Sequence, residues 1–420
     1  MTAPAPLAEV DRELLQRRTI ATLRLAQVPA QAAVAGVVAV LALMLADLFG
    51  RDRWAGAGNA AFTLGSALMA PVFAAAMRRN GRRPGLVVAY LVGAAGAFVA
   101  ATGGQFGWWP IVLLGMVCFG GVQAASLQGR YAAADLAPEG GAATAIAAVI
   151  WIGTLGAVFG PVLTPRWKAL APTIGLEELV APIAAAGVLA VVAAAIIWWR
   201  LRPDPLAVAG GIDPHAEVVS PLRTVRTSAV VIARSADARL GLLAMAVVQA
   251  AMVAVMTMTP AHMRDHDHTN LSAYVIAVHI AGMYALSPWV GRFAQRVGAE
   301  RAVMVGALVL ASGTAASVLA GYHPVLIFVG LFLLGLGWNI GLIAGSALVS
   351  DGVSAEARVE VQGTADLTMS LCGGAAAFAS GFVKQAWGFH LLANVASVAA
   401  VGLAVVAAVR LWSPRRSVAA

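Results

Sequence analysis

Methionine and histidine concentrate in one part of this 420-residue sequence. The stretch from Met245 to Met283 holds six of the 13 methionines and four of the seven histidines. Met252 and Met256 are four residues apart, and His279 lies four residues before Met283, so each pair shares one face of a helix. Thioether and imidazole groups are neutral ligands that favour Cu(I). If the two helices adjoin, this spacing predicts a Cu(I) site.

A second group of metal ligands follows the first methionine pair and consists of His262, Met263, His266 and His268. This group would concentrate a metal ion at the outer mouth of the site. A plainer interpretation stays open for both groups. Methionine is an ordinary filler of apolar helices, and a histidine-rich stretch between two helices is more often a solvated loop.

These residues lie in a sequence with the composition of a membrane protein. It is 60% hydrophobic and 11% charged, whereas soluble domains are about 25% charged. Twelve apolar stretches are each long enough to cross a hydrocarbon core of about 30 Å as a helix. The predicted fold is an all-α integral membrane protein. Its segments are 1–27 before the first crossing, 28–199 and 240–411 as six-helix bundles, 200–239 as a linker and 412–420 as a tail.

The basic residues predict the orientation. With the N-terminus placed in the cytoplasm, 22 of the 28 lysines and arginines fall on the cytoplasmic side, which is the positive-inside pattern. Both termini and the linker are therefore expected at the cytoplasmic face of the inner membrane. The net charge of +8 follows from the same asymmetry, and it requires no nucleic-acid partner.

A short basic turn recurs in the two predicted bundles. Arg79-x-Gly81 follows the second apolar stretch, and Arg296-x-Gly298 follows the eighth. On these residues the whole chain resembles the major facilitator superfamily, although the residue before each arginine is not the aspartate of the superfamily motif. The positions that match superfamily motifs, and are thereby implied to take part in conformational change, are Arg79, Gly81, Arg82, Arg83, Arg130, Asp135, Gly156, Gly160, Pro161, Arg296 and Gly298.

This resemblance implies a transporter rather than an enzyme, with no cofactor and with a central cavity that opens alternately to each side. The residues expected to face that cavity are Gln123, Gln249, Trp338 and Asn339. The Met-x-x-x-Met and His-x-x-x-Met pairs also resemble those of the CcoA-like copper importers. That narrower resemblance implies that both pairs bind Cu(I).

Asp366 is an acidic residue inside the eleventh apolar stretch. A carboxylate within a span is costly and usually carries protons or ions, so Asp366 is a candidate for energy coupling. The alternative is a place near the inner mouth, paired with Arg358. The sequence has no ATP-binding motif, so the expected partners are the lipid bilayer, a small solute and protons.

Two functions stay open at this point. A copper importer is favoured by the clustered methionines and histidines. A proton-coupled exporter of drugs or small metabolites is favoured by the stretch from Gly156 to Pro161, which matches part of an antiporter signature, and by the tryptophan expected in the cavity. A membrane receptor is a distant third, because nothing in the sequence resembles a signalling domain.

Overall fold

The computed structural model describes residues 9–49, 57–213, 220–265, 272–319 and 323–412. Within those ranges every element of regular secondary structure is a helix and none is a strand, which confirms the predicted fold class. The fourteen α-helices of these ranges are α1 Glu9–Phe49, α2 Ala57–Asn80, α3 Arg82–Gln105, α4 Trp109–Ala132, α5 Ala142–Leu170, α6 Ala181–Arg200, α7 Pro205–Val208, α8 Pro221–Arg234, α9 Ala236–Asp265, α10 Ser272–Tyr284, α11 Ser287–Val297, α12 Ala299–Leu319, α13 Pro324–Asp351 and α14 Ala355–Trp412.

The long helices account for the predicted apolar stretches. Ten helical segments of the described chain have the length and composition of a membrane span. One of them, α14, has 58 residues, and Gly388 interrupts it with a φ of 84°. That conformation favours glycine, so α14 supplies two of the predicted crossings. The eighth crossing is divided between α10 and α11, which meet just before Pro288.

The chain divides into two compact units. Unit 1 comprises the chain up to Arg226 together with Ala355–Gly363, and unit 2 comprises Thr227–Ser354 and the chain from Thr364 onward. This division resembles the two predicted bundles except for Ala355–Gly363, the beginning of α14. Side chains of that segment accept hydrogen bonds from arginines of α2 and α3, as described below.

Glycine allows close helix contacts within each unit. In unit 1, a Cβ added to Gly65 of α2 would lie 2.0 Å from the carbonyl oxygen of Val117 in α4. In unit 2, a Cβ added to Gly337 of α13 would lie 2.5 Å from the backbone nitrogen of Leu310 in α12. Helices in lipid pack through close van der Waals contact, since apolar side chains gain little by leaving lipid. These glycines therefore fix which helices adjoin.

The two basic turns have the same backbone conformation. Gly81 has a φ of 96° and Gly298 a φ of 90°, and each directly precedes a helix. Such values strongly favour glycine. The shared conformation, in equivalent places of the two units, supports the predicted repeat.

Two predicted boundaries fall within helices. Residue 28 lies inside α1, which already begins at Glu9 and whose Gln16 donates a hydrogen bond to the carbonyl oxygen of Ala133. The predicted linker 200–239 contains α7 and α8 and the beginning of α9. Residues 214–219 of that linker lie outside the described chain.

Candidate substrate site

Helix α13 of unit 2 packs against both α9 and α10, which carry the predicted methionine and histidine pairs. A Cβ added to Gly341 would lie 2.5 Å from the side chain of Val248 in α9. A Cβ added to Gly335 would lie 2.4 Å from the carbonyl oxygen of His279 in α10. Small residues on two faces of α13 therefore bring α9 and α10 against the same helix.

Trp338 connects these two neighbours of α13. Its indole Nε1 donates a hydrogen bond to Oε1 of Gln249 in α9 over 2.7 Å. Its ring lies edge to face with that of Tyr284 in α10, with ring centroids 5.9 Å apart. Trp338 is buried and Tyr284 is half-buried. The predicted cavity residues Gln249 and Trp338 thus form one aromatic and amide cluster with Tyr284.

Asn339, next to Trp338, is fully buried and contacts Ser287 of α11. The Ser287 hydroxyl lies 2.8 Å from the carbonyl oxygen of Tyr284 and 3.1 Å from Oδ1 of Asn339. It has a single proton to donate. The Nδ2 of Asn339 has no hydrogen-bond partner among the described residues. Whichever way the amide is turned, part of its hydrogen-bonding capacity is unused.

His279 also has unused hydrogen-bonding capacity. Its Nδ1 lies 2.8 Å from the carbonyl oxygen of Leu331 in α13. A carbonyl oxygen only accepts, so Nδ1 carries the proton and Nε2 presents a lone pair. The residue is fully buried, and Nε2 has no partner among the described residues. The sequence-predicted His279 is therefore a buried acceptor at the contact of α10 with α13.

The packing register places the two methionine-containing pairs beside the same two neighbouring turns of α13. Gln249 of α9 bonds to Trp338 of α13, and the two helices are antiparallel because Gly341 contacts Val248 whereas Gly345 contacts Gly241. Seven residues further along α9 is Met256, and seven residues back along α13 is Leu331, the residue that His279 contacts. Met252 and Met283 are likewise level with Gly335. Met252 and Met283 are buried and Met256 is half-buried.

Asp366, the predicted coupling residue, is fully buried in α14. It lies seven residues before Gly373, and such a spacing is close to two turns, so the two residues share a helix face. A Cβ added to Gly373 would lie 3.0 Å from the side chain of Gln249. Asp366 therefore lies on the face of α14 that adjoins α9. The fourth predicted cavity residue, Gln123, is half-buried in α4 of unit 1.

Half of the predicted outer metal group can be described. The ring of His262 stacks on that of Phe389, with centroids 4.2 Å apart, and Met263 is buried. His266 and His268 lie outside the described residues. Within the described chain no three histidine, cysteine or acidic side chains form a group able to hold a metal ion. The metal-collecting role of this group stays a prediction.

Comparison with known proteins identifies the family. The model of the Major Facilitator Superfamily matches residues 25–377. The chain belongs to the major facilitator superfamily. It is 32% identical to the uncharacterized MFS-type transporter YdeG of Bacillus subtilis (strain 168), covering 96% of this chain and 93% of that protein. It is 29% identical to the riboflavin transporter RfnT of Brucella anthropi, covering 79% and 80% respectively.

The structure of the human organic anion transporter MFSD10 is similar to this one with a TM-score of 0.74. The two chains are 18% identical, and the match covers 93% of this chain and 99% of that chain. This likeness supports the twelve-helix fold. Membership of the superfamily makes this protein a membrane transporter of a small solute, as predicted.

The superfamily motif residue Arg82 is the centre of a buried network in unit 1. Its Nε and Nη2 donate to the two carboxylate oxygens of Asp135 over 2.8 and 3.1 Å. Nη2 also donates to Oε1 of Gln362, while Nη1 donates to Oε1 of Gln128 and lies 3.7 Å from the sulfur of Met77. A guanidinium has five N–H groups, so every one of them has an acceptor. The arginine is fully buried.

Arg78, which stands where the superfamily motif has aspartate, makes an ion pair of its own. Its guanidinium lies 2.8 Å from the Glu360 carboxylate of α14 and 3.4 Å from that of Asp213 in the linker. Position 78 thus carries the basic group of this ion pair, and Glu360 of α14 carries the carboxylate. Of the neighbouring motif residues, Arg79 is half-buried, and Arg296 of the second turn is exposed.

The remaining motif positions have packing contacts. The Arg130 guanidinium lies 4.6 Å from the centre of the Tyr131 ring. A Cβ added to Gly156 or Gly160 of α5 would lie 2.4 or 2.6 Å from a carbonyl oxygen of α1. Pro161, the next residue, lies inside α5. The partial antiporter signature therefore coincides with the contact between α1 and α5.

Sequence reasoning missed several residues of these clusters. They are Tyr284, Ser287, Gln128, Gln362 and Glu360. The first four contact a residue that was predicted, and Glu360 contacts Arg78, which lies next to the predicted Arg79. Pro288 marks the break beside Ser287, and Glu360 is an acid at the beginning of an apolar helix. Both features are visible in the sequence, but neither indicates which residue Ser287 or Glu360 contacts.

Proposed function

We propose that this transporter carries an uncharged, planar organic solute with hydrogen-bonding groups along its edge. The observation that supports this best is that two buried groups on α10 and α13, Nε2 of His279 and the amide of Asn339, are incompletely hydrogen-bonded. Their contacts on α13, Leu331 and Asn339 itself, are eight residues apart, or about 12 Å along the helix. An elongated organic molecule has groups at that spacing, whereas one metal ion has not.

The surroundings favour an uncharged solute. Neither 272–290 nor 324–350, which include α10 and most of α13, contains a lysine, arginine, aspartate or glutamate. A charged solute moved to such a place would leave water without a counter-charge, and that is costly. Polar groups left unpaired by a poorly fitting molecule are also costly, so the site would discriminate by hydrogen bonding.

The aromatic pair Trp338 and Tyr284 favours a planar solute. Aromatic side chains offer large surfaces that pair with other rings in offset or edge-to-face geometry. The relative RfnT, which is 29% identical, is by its name a riboflavin transporter. Riboflavin combines a planar ring system with polar edges, so we use it as the first probe for this protein.

Thermal unfolding of the purified protein tests the proposal directly. A ligand that binds only the folded state raises the unfolding temperature with its concentration. We expect riboflavin to raise it for the parent and for Trp412→Phe, an exposed control. Asn339→Leu should remove the shift because it removes the amide at similar volume. No shift with the parent, or an equal shift with Asn339→Leu, would contradict the proposal.

Copper import is the second candidate, and one observation favours it. Nε2 of His279 has no hydrogen-bond partner among the described residues, and the packing register puts Met256 level with His279 and puts Met252 and Met283 about one turn away. These neutral ligands suit Cu(I). If copper is carried, Met256→Leu and His279→Ala should each abolish radiocopper accumulation, whereas Met44→Leu should not.

Riboflavin uptake by the same variants separates the two candidates. Met256→Leu keeps the bulk of the side chain, and such swaps usually cost under about 1.5 kcal/mol. An organic solute therefore predicts near-parent riboflavin uptake for that variant. Parent-like copper accumulation by Met256→Leu would refute the copper-ligand role of that sulfur.

Proton coupling through Asp366 is part of the proposal for either solute. The carboxylate is buried on the face of α14 that also carries Gly373, about two turns from the contact of Gly373 with Gln249, and a carboxylate in a span commonly carries protons. Asp366→Asn keeps the volume but cannot exchange the proton. We expect it to fold normally and to lose transport driven by a pH gradient in proteoliposomes. An unchanged rate and pH dependence would remove Asp366 from the mechanism.

The direction of transport and the orientation of the protein in the membrane are also proposals. Gly156 and Gly160 are accounted for by the contact of α5 with α1, which weakens the argument for an exporter. The charge asymmetry supports both termini in the cytoplasm of the inner membrane. A cysteine introduced at Arg83 or Arg301 should then resist a membrane-impermeant reagent added to intact cells.

A further inference from the structure

Two arginines of unit 1 share one exposed tryptophan where α3 begins and α6 ends. The Arg83 guanidinium lies 4.4 Å from the centre of the Trp198 ring, and that of Arg202 lies 6.0 Å from it. Trp198 is 45% exposed and the adjacent Trp199 is 70% exposed. Tryptophan is enriched where membrane spans meet the headgroup region, which fits the end of α6.

The carboxylate of Asp204 lies close to Arg83 but makes no ion pair with the side chain of Arg83 or Arg202. Asp204 accepts hydrogen bonds from the backbone nitrogens of Arg83, Leu206 and Ala207. Its oxygens therefore cap the beginnings of α3 and α7. Neither the Arg83 nor the Arg202 side chain has a hydrogen-bond or ion-pair partner in the described chain, and Nε of Arg83 is buried without an acceptor.

An apolar surface continues from the tryptophans along α6. Val191 and Val192 lie seven residues before Trp198 and Trp199, and that spacing returns to the same face of a helix. Both valines are exposed. On the adjoining helix α3, Val88 is exposed as well. Arg83 and Arg202, two cations without a carboxylate partner in the described chain, thus lie at the end of a surface suited to acyl chains.

We propose that this place, formed by Arg83, Trp198 and Arg202, binds the phosphodiester headgroup of an anionic phospholipid. Arginine pairs well with phosphate because its planar donors match phosphate oxygens in a bidentate arrangement. Basic pockets between spans are known places for anionic lipid headgroups. The valine surface commits the site to a lipid, since free phosphate has no acyl chains to cover it.

Native mass spectrometry of the full-length protein, titrated with phosphatidylglycerol in detergent, measures the bound lipid. Arg202→Gln should lower the affinity about fivefold, the effect expected for one basic residue near a membrane surface. Trp198→Leu should also lower it, because it removes the ring that both guanidinium groups contact. Arg202 is exposed, so its replacement should not disturb folding. The matched control is Arg292→Gln, another exposed arginine outside this site, and it should bind as the parent does.

Two further probes test whether the site requires an anionic headgroup and whether it requires acyl chains. Phosphatidylcholine should be retained more weakly than phosphatidylglycerol, and millimolar inorganic phosphate should not displace the lipid. The inference is overturned if both variants bind phosphatidylglycerol as the parent does, or if Arg292→Gln loses as much affinity. Equal retention of phosphatidylcholine, or displacement by inorganic phosphate, would also overturn it.

Discussion

Arg82 of unit 1 and His279 of unit 2 are both fully buried, yet their hydrogen-bonding groups are satisfied to different degrees. Every N–H of Arg82 has an acceptor, and its charge faces Asp135. His279 uses one ring nitrogen and leaves the other without a partner among the described residues. A fully satisfied buried network makes a structure rigid. An unsatisfied buried group instead needs a separate explanation, and for His279 our proposal is a bound solute.

The largest expected effect is that of Arg82→Gln on folding. This substitution leaves the Asp135 carboxylate buried without its counter-charge, which costs about 3–5 kcal/mol. We expect a large fall in unfolding temperature, or no accumulation of folded protein in the membrane. Arg301→Gln, an exposed arginine of the second repeat, serves as the control.

A double variant separates charge from shape in the same network. Arg82→Met with Asp135→Leu removes both charges, and such replacements are often neutral or stabilising. It should be more stable than Arg82→Gln alone. If Arg82→Gln unfolds at the parent's temperature, the network has no structural role and the contrast with His279 disappears.

The second prediction concerns His279. In contrast to Arg82, its replacement should change stability little and transport strongly. His279→Leu loses one hydrogen bond, worth about 1 kcal/mol, and Leu331 keeps its place in helix α13. We expect a small change in unfolding temperature. Because Nε2 is proposed to bind the solute, uptake should fall about tenfold, since a lost hydrogen bond in the site costs about 1–3 kcal/mol.

Two measurements on one preparation check this expectation. Thermal unfolding and solute uptake in proteoliposomes are compared for the parent, His279→Leu and His323→Leu, which lies just before α13. Parent-like uptake by His279→Leu would mean that the unused nitrogen has no part in transport. A collapse of stability would instead place His279 with Arg82 as a structural residue.

The elements of this fold could be predicted because each depends on local sequence. Length and apolar composition are enough to identify a membrane helix, and the predicted stretches correspond to helices. The turns at Gly81 and Gly298 could be predicted as equivalent because both carry Arg-x-Gly after corresponding apolar stretches, and the two glycines have the same backbone conformation. Helix boundaries were less accurate. Polar residues such as Gln16 continue α1 well before the first apolar stretch.

The partners of buried polar residues could not be predicted. His279 and Met283 were found because their spacing on one helix is local. The acceptor of His279 is a backbone carbonyl 52 residues away, and no side-chain pattern indicates it. Similarly, Glu360 lies 282 residues from Arg78. Such pairs depend on which helices adjoin, and that was set by glycine contacts that the sequence alone did not reveal.

The smallest expected effect tests whether the ion pair of Arg78 resembles the network of Arg82. The Arg78 and Glu360 side chains are 23% and 12% exposed, so the solvent screens them more than it screens Arg82 and Asp135. Arg78→Glu and Glu360→Arg should each lower stability by about 1 kcal/mol, near the upper end for partly exposed pairs. Each single variant places two like charges together.

The exchanged pair, Arg78→Glu with Glu360→Arg, should recover most of that loss but not all of it. Asp213 also lies 3.4 Å from Arg78, and in the exchanged variant it would face a second carboxylate. Adding Asp213→Asn should therefore restore the remainder. The coupling free energy from the double-mutant cycle measures the pair. A value near zero would show that Arg78 and Glu360 are adjacent without stabilising each other, so that the stabilising arginine contact with the beginning of α14 would be the hydrogen bond from Arg82 to Gln362.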